Sequence, residues 1–512
     1  MYRKIAKNTG IVSLGTLTSR ILGALRDAII ANYFGTSGVL ESFLVAFRIP
    51  NIFRDLFGEG FSDAIATPTF SQIAHDRKKL VALGEKVLSL LTVTLAVFTL
   101  LGIIFAKYLV VLIAPGFLTD PEKFAMTVSY TRVTFIYLFF IGLISLMSSL
   151  LYALKRFFIP AFLPMLFNAS LIVGLVFFSR YFQHYILVVS VIIAGLIQYI
   201  VVYWGLRHQH LTLRFRWGEG FGDPQIKTML RRFFPRVGAS VVYHLNVFID
   251  TVFSSLSWIV GEGGVAAIYY ANRIIQFPLA LISVSLARVI IVDLSGFGGH
   301  KNMDEFKRLF VFAIRNMFFF IVPLSIVFLF MPYEIIEVIF LRGRFGRDSL
   351  GITGSVLFFY SWGLLPFCTV KLLVHSFYSL KDTVTPAKIS AIALVVNVVL
   401  SAILMFPLRI SGVALASSIA ASLQTLLLYR ALIGKIGPIP WREIVYDTVK
   451  LLLLGGVIAV VVKVFWVWGP DVNKYWKCGI DVILGGTIFI IIGMILRLDQ
   501  FNHLKRWILP KK

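Results

Sequence analysis

Arginines and carboxylates recur inside stretches of this chain that are otherwise apolar, and their spacing is the first sign of chemistry. Arg20 and Asp27 stand two helical turns apart on a stripe with Ser13 and Thr16, and Arg26 flanks it. Glu41, Arg48 and Asp55 repeat every seven residues, with Asn51 on the same side and Arg54 beside them. Arg273 stands within Ala271-Asn272-Arg273-Ile274-Ile275-Gln276. A charge at the centre of a membrane helix costs roughly 2.5–3.5 kcal/mol on insertion scales, and it is tolerated toward a bundle interior or aqueous cavity. At about 1.5 Å of rise per residue, Arg26, Arg48 and Arg273 lie roughly 13–15 Å from the glycine turns that bound their helices. Asp27, Glu41 and Asp55 neutralise part of this charge, but the five arginines outnumber them. Guanidinium forks match phosphate and carboxylate oxygens. Arg20, Arg26, Asp27, Arg48, Asn51, Arg54 and Arg273 are therefore the candidate lining of a cavity that receives an anion.

The elements that carry these residues are membrane spans. Of 512 residues, 58% are hydrophobic and 14% charged, whereas a soluble domain runs near roughly 45–50% and 25%. A soluble enzyme is excluded. Apolar runs of about 20 residues, enough to cross a bilayer, are expected at 9–34, 39–73, 87–114, 124–153, 158–180, 185–206 and 235–260. Further runs are expected at 265–295, 308–331, 350–379, 385–406, 411–433, 443–467 and 478–496. The second carries Pro50 and Pro68 and reads as kinked or broken. Between spans six and seven, Asp223 is placed to cap a helix whose first position is Pro224. Ile226, Met229, Leu230 and Phe233 follow at helical spacing with cations opposite, which predicts an interfacial amphipathic helix on the inner leaflet. Gly35-Thr36-Ser37-Gly38 before Arg48 is echoed by Gly261-Glu262-Gly263-Gly264 before Arg273, at an offset of about 225 residues. Such an offset suits parallel repeats.

The formal charge of +24 would suggest nucleic acid in a soluble protein. Here Lys and Arg collect in alternate loops, among them Arg77, Lys78, Lys79, Lys86, Lys155, Arg156, Arg214 and Arg216. Cytoplasmic loops accumulate cations in this way, so both termini are expected in the cytoplasm and no nucleic acid is needed. The outer loop 341–347, with Arg342, Arg344 and Arg347, departs from the rule. Cys368 and Cys478 sit far apart in apolar surroundings and read as packing residues. No phosphate-binding loop, zinc-protease helix, nucleophile elbow or metal-ligand spacing is present. Neither an enzyme nor a bound cofactor or metal is expected, and the coupling ion is left open. His208 and His210 lack an acid cluster, and His244, His375 and Lys371 inside spans read first as packing or cavity residues.

The sequence resembles the MurJ (MviN) family of lipid II flippases, in the multidrug/oligosaccharidyl-lipid/polysaccharide exporter superfamily. The resemblance is carried by Ser19-Arg20-Ile21-Leu22-Gly23 with Arg26-Asp27-Ala28, Phe47-Arg48-Ile49-Pro50-Asn51 with Arg54, and Phe57-Gly58-Glu59-Gly60. Ala114-Pro115-Gly116-Phe117, Pro160-Ala161-Phe162 through Asn168, and Tyr270-Ala271-Asn272-Arg273 with Phe277-Pro278 extend it. Phe377-Tyr378-Ser379 with Asp382-Thr383-Val384-Thr385-Pro386 completes it. It implies an all-α polytopic membrane protein with about 14 transmembrane helices, two six-helix lobes plus two C-terminal helices. The expected divisions are 1–215, an amphipathic linker at 216–235, 236–435, and 436–512.

The resemblance further implies alternating access around a central cationic cavity, with Arg20, Arg26, Arg54 and Arg273 as cavity arginines and Asp27 beside them. The expected substrate is lipid II, an undecaprenyl-diphosphate-linked peptidoglycan precursor, moved between leaflets of the bacterial cytoplasmic membrane. Membrane lipids and cell-wall synthesis proteins are the expected partners. Pro50 and Asn51 are expected to let the second helix bend, and Glu59 with Lys381 is the expected gate pair. Glu41, Asn272 and Gln276 depart from the usual pattern, and the two amides leave Arg273 less compensated. The rival readings are a flippase for another undecaprenyl-linked glycan and a cation-coupled multidrug exporter. The latter needs an acidic cavity, and these spans are basic.

Overall fold

The structure, a computed structural model, describes residues 2–216, 222–280, 303–469, 473–496, 498 and 500, without the side chains of 2–9, 58–59, 63–64 and 234–243. Among the described residues there are helices and no strand, as the long apolar runs require. In chain order the helices are α1 Tyr2–Phe34, α2 Gly38–Asp55, α3 Thr67–Ile73, α4 Arg77–Ile104, α5 Ala106–Ile113 and α6 Pro121–Ala153. Then follow α7 Phe158–Phe182, α8 Ile186–His208, α9 Pro224–Ser255, α10 Ser257–Val260 and α11 Gly264–Pro278. The remainder are α12 Met303–Phe330, α13 Pro332–Phe340, α14 Arg347–Ser379, α15 Val384–Leu408, α16 Ile410–Ile436, α17 Trp441–Trp468 and α18 Lys474–Ile495. The later part of the expected span 265–295 and the chain after residue 500 lie outside the described residues.

Nine stretches among the described residues are long and apolar enough to cross a membrane, the longest covering α7 and α8 together. Helices α1, α2, α9 and α11 fall outside that set. α1 and α2 carry the charge clusters of the expected cavity, and α11 carries Arg273. Their polarity is a local departure from an otherwise apolar protein.

The chain packs as two compact units, Met1–Ser257 with Arg342–Arg344, and Trp258–Leu341 with Phe345–Lys512. In the first unit, Asp76, Asp120 and Asp223 each accept a backbone N–H at a helix start, satisfying donors that the helix itself leaves open. The expected second span is helical throughout: Pro50 lies inside α2, and an 11-residue π-helical stretch, Leu56–Ala66, carries the path into α3. The change of winding comes after Pro50, and Pro68 occupies the start of α3, where its missing N–H costs least. α6 holds the π stretch in place. Ser145 Oγ donates to the Phe57 carbonyl at 2.6 Å, and Ser62 Oγ to the Ser145 carbonyl at 3.2 Å.

The expected linker at 216–235 differs most from expectation. Asp223 does cap, accepting from Gln225 N at 2.8 Å, and Pro224 opens the helix. Yet that helix continues unbroken to Ser255, so the amphipathic segment and the start of the seventh span are one element, and the expected division at 235 falls inside it. Ile226 and Met229 are buried, and Phe233 packs on Phe57 and Phe61 with ring centres 6.4 and 5.9 Å away. This part of the apolar face thus packs within the first unit. Protein surface of matching shape excludes water from it as well as acyl chains would. At the far end of the same helix, Gly116 of the Ala-Pro-Gly-Phe motif meets Ser255. A Cβ there would stand 1.9 Å from the Ser255 carbonyl oxygen.

The faint repeat of the sequence is plain in the backbone. Left-handed φ angles occur at Gly35 and Gly261, at Lys155 and Lys381, and at Gln183 and Arg409, each pair about 226 residues apart. The turns match in hydrogen bonding as well. Lys155 N donates to the Tyr152 carbonyl and Arg156 N to Leu151; Lys381 N donates to Tyr378 and Asp382 N to Phe377. A non-glycine residue pays roughly 1–2 kcal/mol for this conformation, so its recurrence at one spacing marks a shared backbone plan. The second unit is further tied by Arg315 of α12, which reaches Asp447 at 2.7 Å and Glu443 at 3.1 Å on α17.

Candidate functional site

Helix α1 carries the best-defined part of the site. A Cβ on Gly15 would fall 2.6 Å from the Ala161 carbonyl oxygen, so the absence of a side chain lets α1 and α7 approach closely. That approach brings Asn168 of α7 against α1. Its Nδ2 donates to the Ser19 carbonyl at 2.9 Å, and its Oδ1 accepts from Arg26 Nη1 at 2.9 Å. Arg26 also donates from Nε at 3.0 Å and Nη2 at 2.6 Å to Asp27 Oδ1. Arg26 is 8% exposed and Asp27 3%, so the guanidinium is held in a fixed orientation away from bulk water. Buried charge of this kind persists only when paired and hydrogen-bonded.

The other expected residues take different positions. Arg20 is exposed, about two turns back along α1, with no ion pair among the described residues. Arg48 and Asn51 of α2 are half-buried. Arg54 pairs with Asp55 at 3.2 Å, and both remain substantially exposed. Glu41, counted by sequence among the acids available to the arginines, is instead buried against Lys123 of α6. Lys123 also lies 4.2 Å from the centre of the Phe117 ring. The pairing withdraws one carboxylate from the arginine set, because Lys123 at the start of α6 reaches it first. In the second unit Arg273 is exposed, 5.0 Å over the Tyr269 ring, with Nη2 3.3 Å from the Tyr269 hydroxyl.

Of the expected gate pair, the Glu59 side chain lies outside the described residues. Lys381 is exposed in its left-handed turn. Its neighbour Asp382 does the capping, accepting from Val384 N and Thr385 N at 3.0 Å each and pairing with Lys435. Burial works to raise the Asp382 carboxyl, but the Lys435 ammonium and the Thr385 hydrogen bonds outweigh it and hold the group well below the usual carboxylate range. The Asp-Thr-x-Thr-Pro signature is thus a helix start locked by an ion pair. An open cleft of about 880 Å³ in the first unit is lined by Val12, Thr67, Ser71, His75, Tyr152 and Lys155 among others, and by none of the arginines expected to bind.

Two contributors were given no role in the site by the sequence reading. Asn168 was visible as an amide in the apolar α7, and Tyr269 stands four residues before Arg273, within reach on one helix face. Ser145 and Ser149, which brace the π stretch, left only the trace of hydroxyls in an apolar run. Chemically, a fixed guanidinium with exposed or half-buried arginines on the same two helices offers forked donors to anionic oxygens. Among the described residues no group of three or more His, Cys, Asp or Glu is placed to hold a metal.

Comparison with known proteins gives the family. The family model described as "Lipid II flippase MurJ" matches residues 30–483. The "Probable lipid II flippase MurJ" of Buchnera aphidicola subsp. Acyrthosiphon pisum is 32% identical over 503 residues, covering 96% of this chain and 97% of that one. The "Lipid II flippase MurJ" of Burkholderia cenocepacia is 32% identical over 429 residues, covering 82% of each. A solved structure titled "Lipid II flippase MurJ, inward closed conformation" shares the fold with a TM-score of 0.80 at 24% identity, over 96% of this chain and 99% of that one. An inward-facing multidrug resistance transporter of the wider MOP superfamily aligns with a TM-score of 0.68 at 15% identity, over 81% and 95% of the two chains. With the family model spanning most of the sequence and a relative matched nearly end to end, this chain belongs to the lipid II flippase MurJ family.

Proposed function

We propose that this multi-pass membrane protein moves lipid II from the inner to the outer leaflet of the bacterial cytoplasmic membrane by alternating access around a cationic cavity. It is a transporter and not an enzyme. The carrying observation is the buried Arg26 of α1, oriented by Asp27 and Asn168, in a chain of the lipid II flippase family. Arg26, Arg54 and Arg273 hold the diphosphate in the inward-open state, Arg20 guides it inward, and Arg48 and Asn51 line its path. Asp27 sets the direction of the Arg26 fork. Both termini are cytoplasmic, which follows from the cation bias of the loops. Glu59 and Lys381 form a gate on the cytoplasmic side. Transport uses no bound cofactor and draws on an ion gradient, the membrane potential or substrate supply. Two lobes and a C-terminal helix pair provide the moving parts, and cell-wall synthesis proteins supply and remove the substrate.

The test is complementation of cells depleted of their own lipid II flippase, with membrane abundance measured for every variant. Rescue by the parent and failure by well-inserted Arg26→Ala, Arg54→Ala and Arg273→Ala is expected. Rescue by all three variants would remove the arginines from the substrate site. Failure of an abundant parent, in a host whose partner proteins are supplied, would favour another undecaprenyl-linked glycan.

A further inference from the structure

A second group of membrane-embedded charges, on helices other than those of the expected arginines, lies where α17 and α18 pack. Asp481 of α18 is 6% exposed, and neither of its carboxylate oxygens has a hydrogen-bond partner among the described residues. Its burial is specific to that residue, because Val482 and Ile483 beside it are 69% and 71% exposed. The register of the two helices follows from its neighbours. One turn further along α18, a Cβ on Gly485 would lie 3.4 Å from Ile458 and 3.6 Å from Val462. One turn back, Lys477 Nζ is 5.7 Å from the centre of the Trp466 ring. Asp481 therefore faces α17 between Val462 and Trp466, at the level of Lys463.

Lys463 is engaged elsewhere. Its ammonium is bonded to Glu334 Oε1 of α13, while Glu334 Oε2 is buried with no partner among the described residues. α13 also packs on α18, where Lys474 Nζ donates to the Leu341 carbonyl at 2.6 Å and the Glu337 carbonyl at 3.3 Å. Three helices thus bring the carboxylates of Glu334 and Asp481 and the ammoniums of Lys463, Lys474 and Lys477 to the same end of the α17–α18 pair. Lys477 is turned to Trp466, and Cys478 is the other titratable group beside Asp481. Of the other charges on α12 and α17, Arg315, Glu443, Asp447 and Lys450 are bound to one another or to the Leu496 carbonyl, and the rest, Asp304, Glu305, Lys307, Arg308 and Arg442, stand near the starts of the two helices, far along the chain from Lys463. None supplies Asp481 with a donor.

An ionised carboxylate buried without a donor is strongly disfavoured, and the simplest relief is to take up a proton. Glu334 has its relief in Lys463. We propose that Asp481 is a proton-binding site within the membrane, carrying one proton as a neutral carboxylic acid beside the Glu334–Lys463 pair. The proton comes from water at the end of the helix pair near Lys474, roughly 10 Å away along α18 at 1.5 Å per residue. Uptake converts the carboxylate to the acid, and release returns the proton to water. In the deprotonated state the charge that faces Asp481 is the Lys477 ammonium one turn back on α18, so proton occupancy sets the electrostatic balance at this end of the helix pair. This site is separate from the arginine site and independent of what the protein transports.

The test is infrared difference spectroscopy on the full-length protein in lipid bilayers, titrated from acid to alkaline pH. The parent is expected to show the C=O stretch of a protonated, weakly hydrogen-bonded carboxylic acid at neutral pH, and Asp481→Asn is expected to lose it. Parent protein carrying aspartate isotopically labelled at the carboxyl carbon should show the same band displaced, which keeps the test valid even where the variant fails to fold. Lys463→Met should add a second such band, from Glu334 left without its ammonium. Identical spectra for parent and Asp481→Asn, or a parent band unmoved by the aspartate label, would overturn the proposal.

Discussion

The two repeats share their turns but differ in how each holds its central arginines. In the first, α1 buries Arg26 beside Asp27 and fixes it with Asn168, and α2 pairs Arg54 with Asp55. In the second, α11 leaves Arg273 exposed over Tyr269, with Asn272 and Gln276 beside it in place of acids. The backbone plan therefore does not dictate the electrostatics. A guanidinium paired with a buried carboxylate is rigid and partly neutralised, and one resting on an aromatic face at the surface stays in reach of solvent. The first repeat thus buries its arginine among fixed partners, and the second leaves one at its surface.

This contrast can be broken most severely at Arg26. Arg26→Ala leaves Asp27 buried without its counter-charge, a loss of about 3–5 kcal/mol by analogy with other buried pairs. Thermal unfolding in detergent should move down by many degrees, and transport should be abolished. An Arg26→Ala protein as stable as the parent would mean that other groups or water compensate Asp27. Next in size is Asn168→Ala, which removes the acceptor from Arg26 Nη1 and the tie to Ser19. A cost of about 1–3 kcal/mol is expected for the orphaned buried donor, with reduced complementation at normal abundance.

The corresponding change in the second repeat should be much milder. Tyr269→Leu removes an exposed cation–π contact worth about 0.5–1 kcal/mol and should leave stability within error while slowing transport a few-fold. A stability loss as large as that of Asn168→Ala would show that Arg273 is held as rigidly as Arg26. The smallest effect concerns the turn that the repeats share. Asp382 is depressed in the folded protein, so its contribution is present above the unfolded carboxylate pKa of about 3.9 and disappears as pH falls through the lower folded value. The pair with Lys435 is half exposed, so Asp382→Asn should cost under about 1 kcal/mol at neutral pH and nothing in strong acid. Melting curves of parent and variant at the two pH values would measure it.

Much of the site was legible as residue types in the wrong solvent. Arg20, Arg26, Arg48, Arg54 and Arg273 stood out because each sits in a run that is otherwise apolar, and helix caps such as Asp223 and Pro224 announce themselves within four residues. The repeat was also readable, though only through its glycines. Its costlier members, Lys155 with Lys381 and Gln183 with Arg409, have no residue preference that would betray a left-handed turn.

What the sequence by itself determined was local: which segments are helical, where they begin, and that charge must be sheltered within them. Tertiary structure decided which charges meet. Neighbouring positions on a helix do not face one another, yet Arg26 reaches Asp27 in a geometry that Asn168, 142 residues away, holds from the other side. Glu41 went to Lys123, 82 residues on, and Phe233 on the amphipathic face of α9 went to Phe57 and Phe61. Propensity and solvation act on a residue and its near neighbours, so they can be read along the chain. Pairing depends on which helices touch, and close approaches such as that of Gly15 to Ala161 arise only when the whole unit has packed.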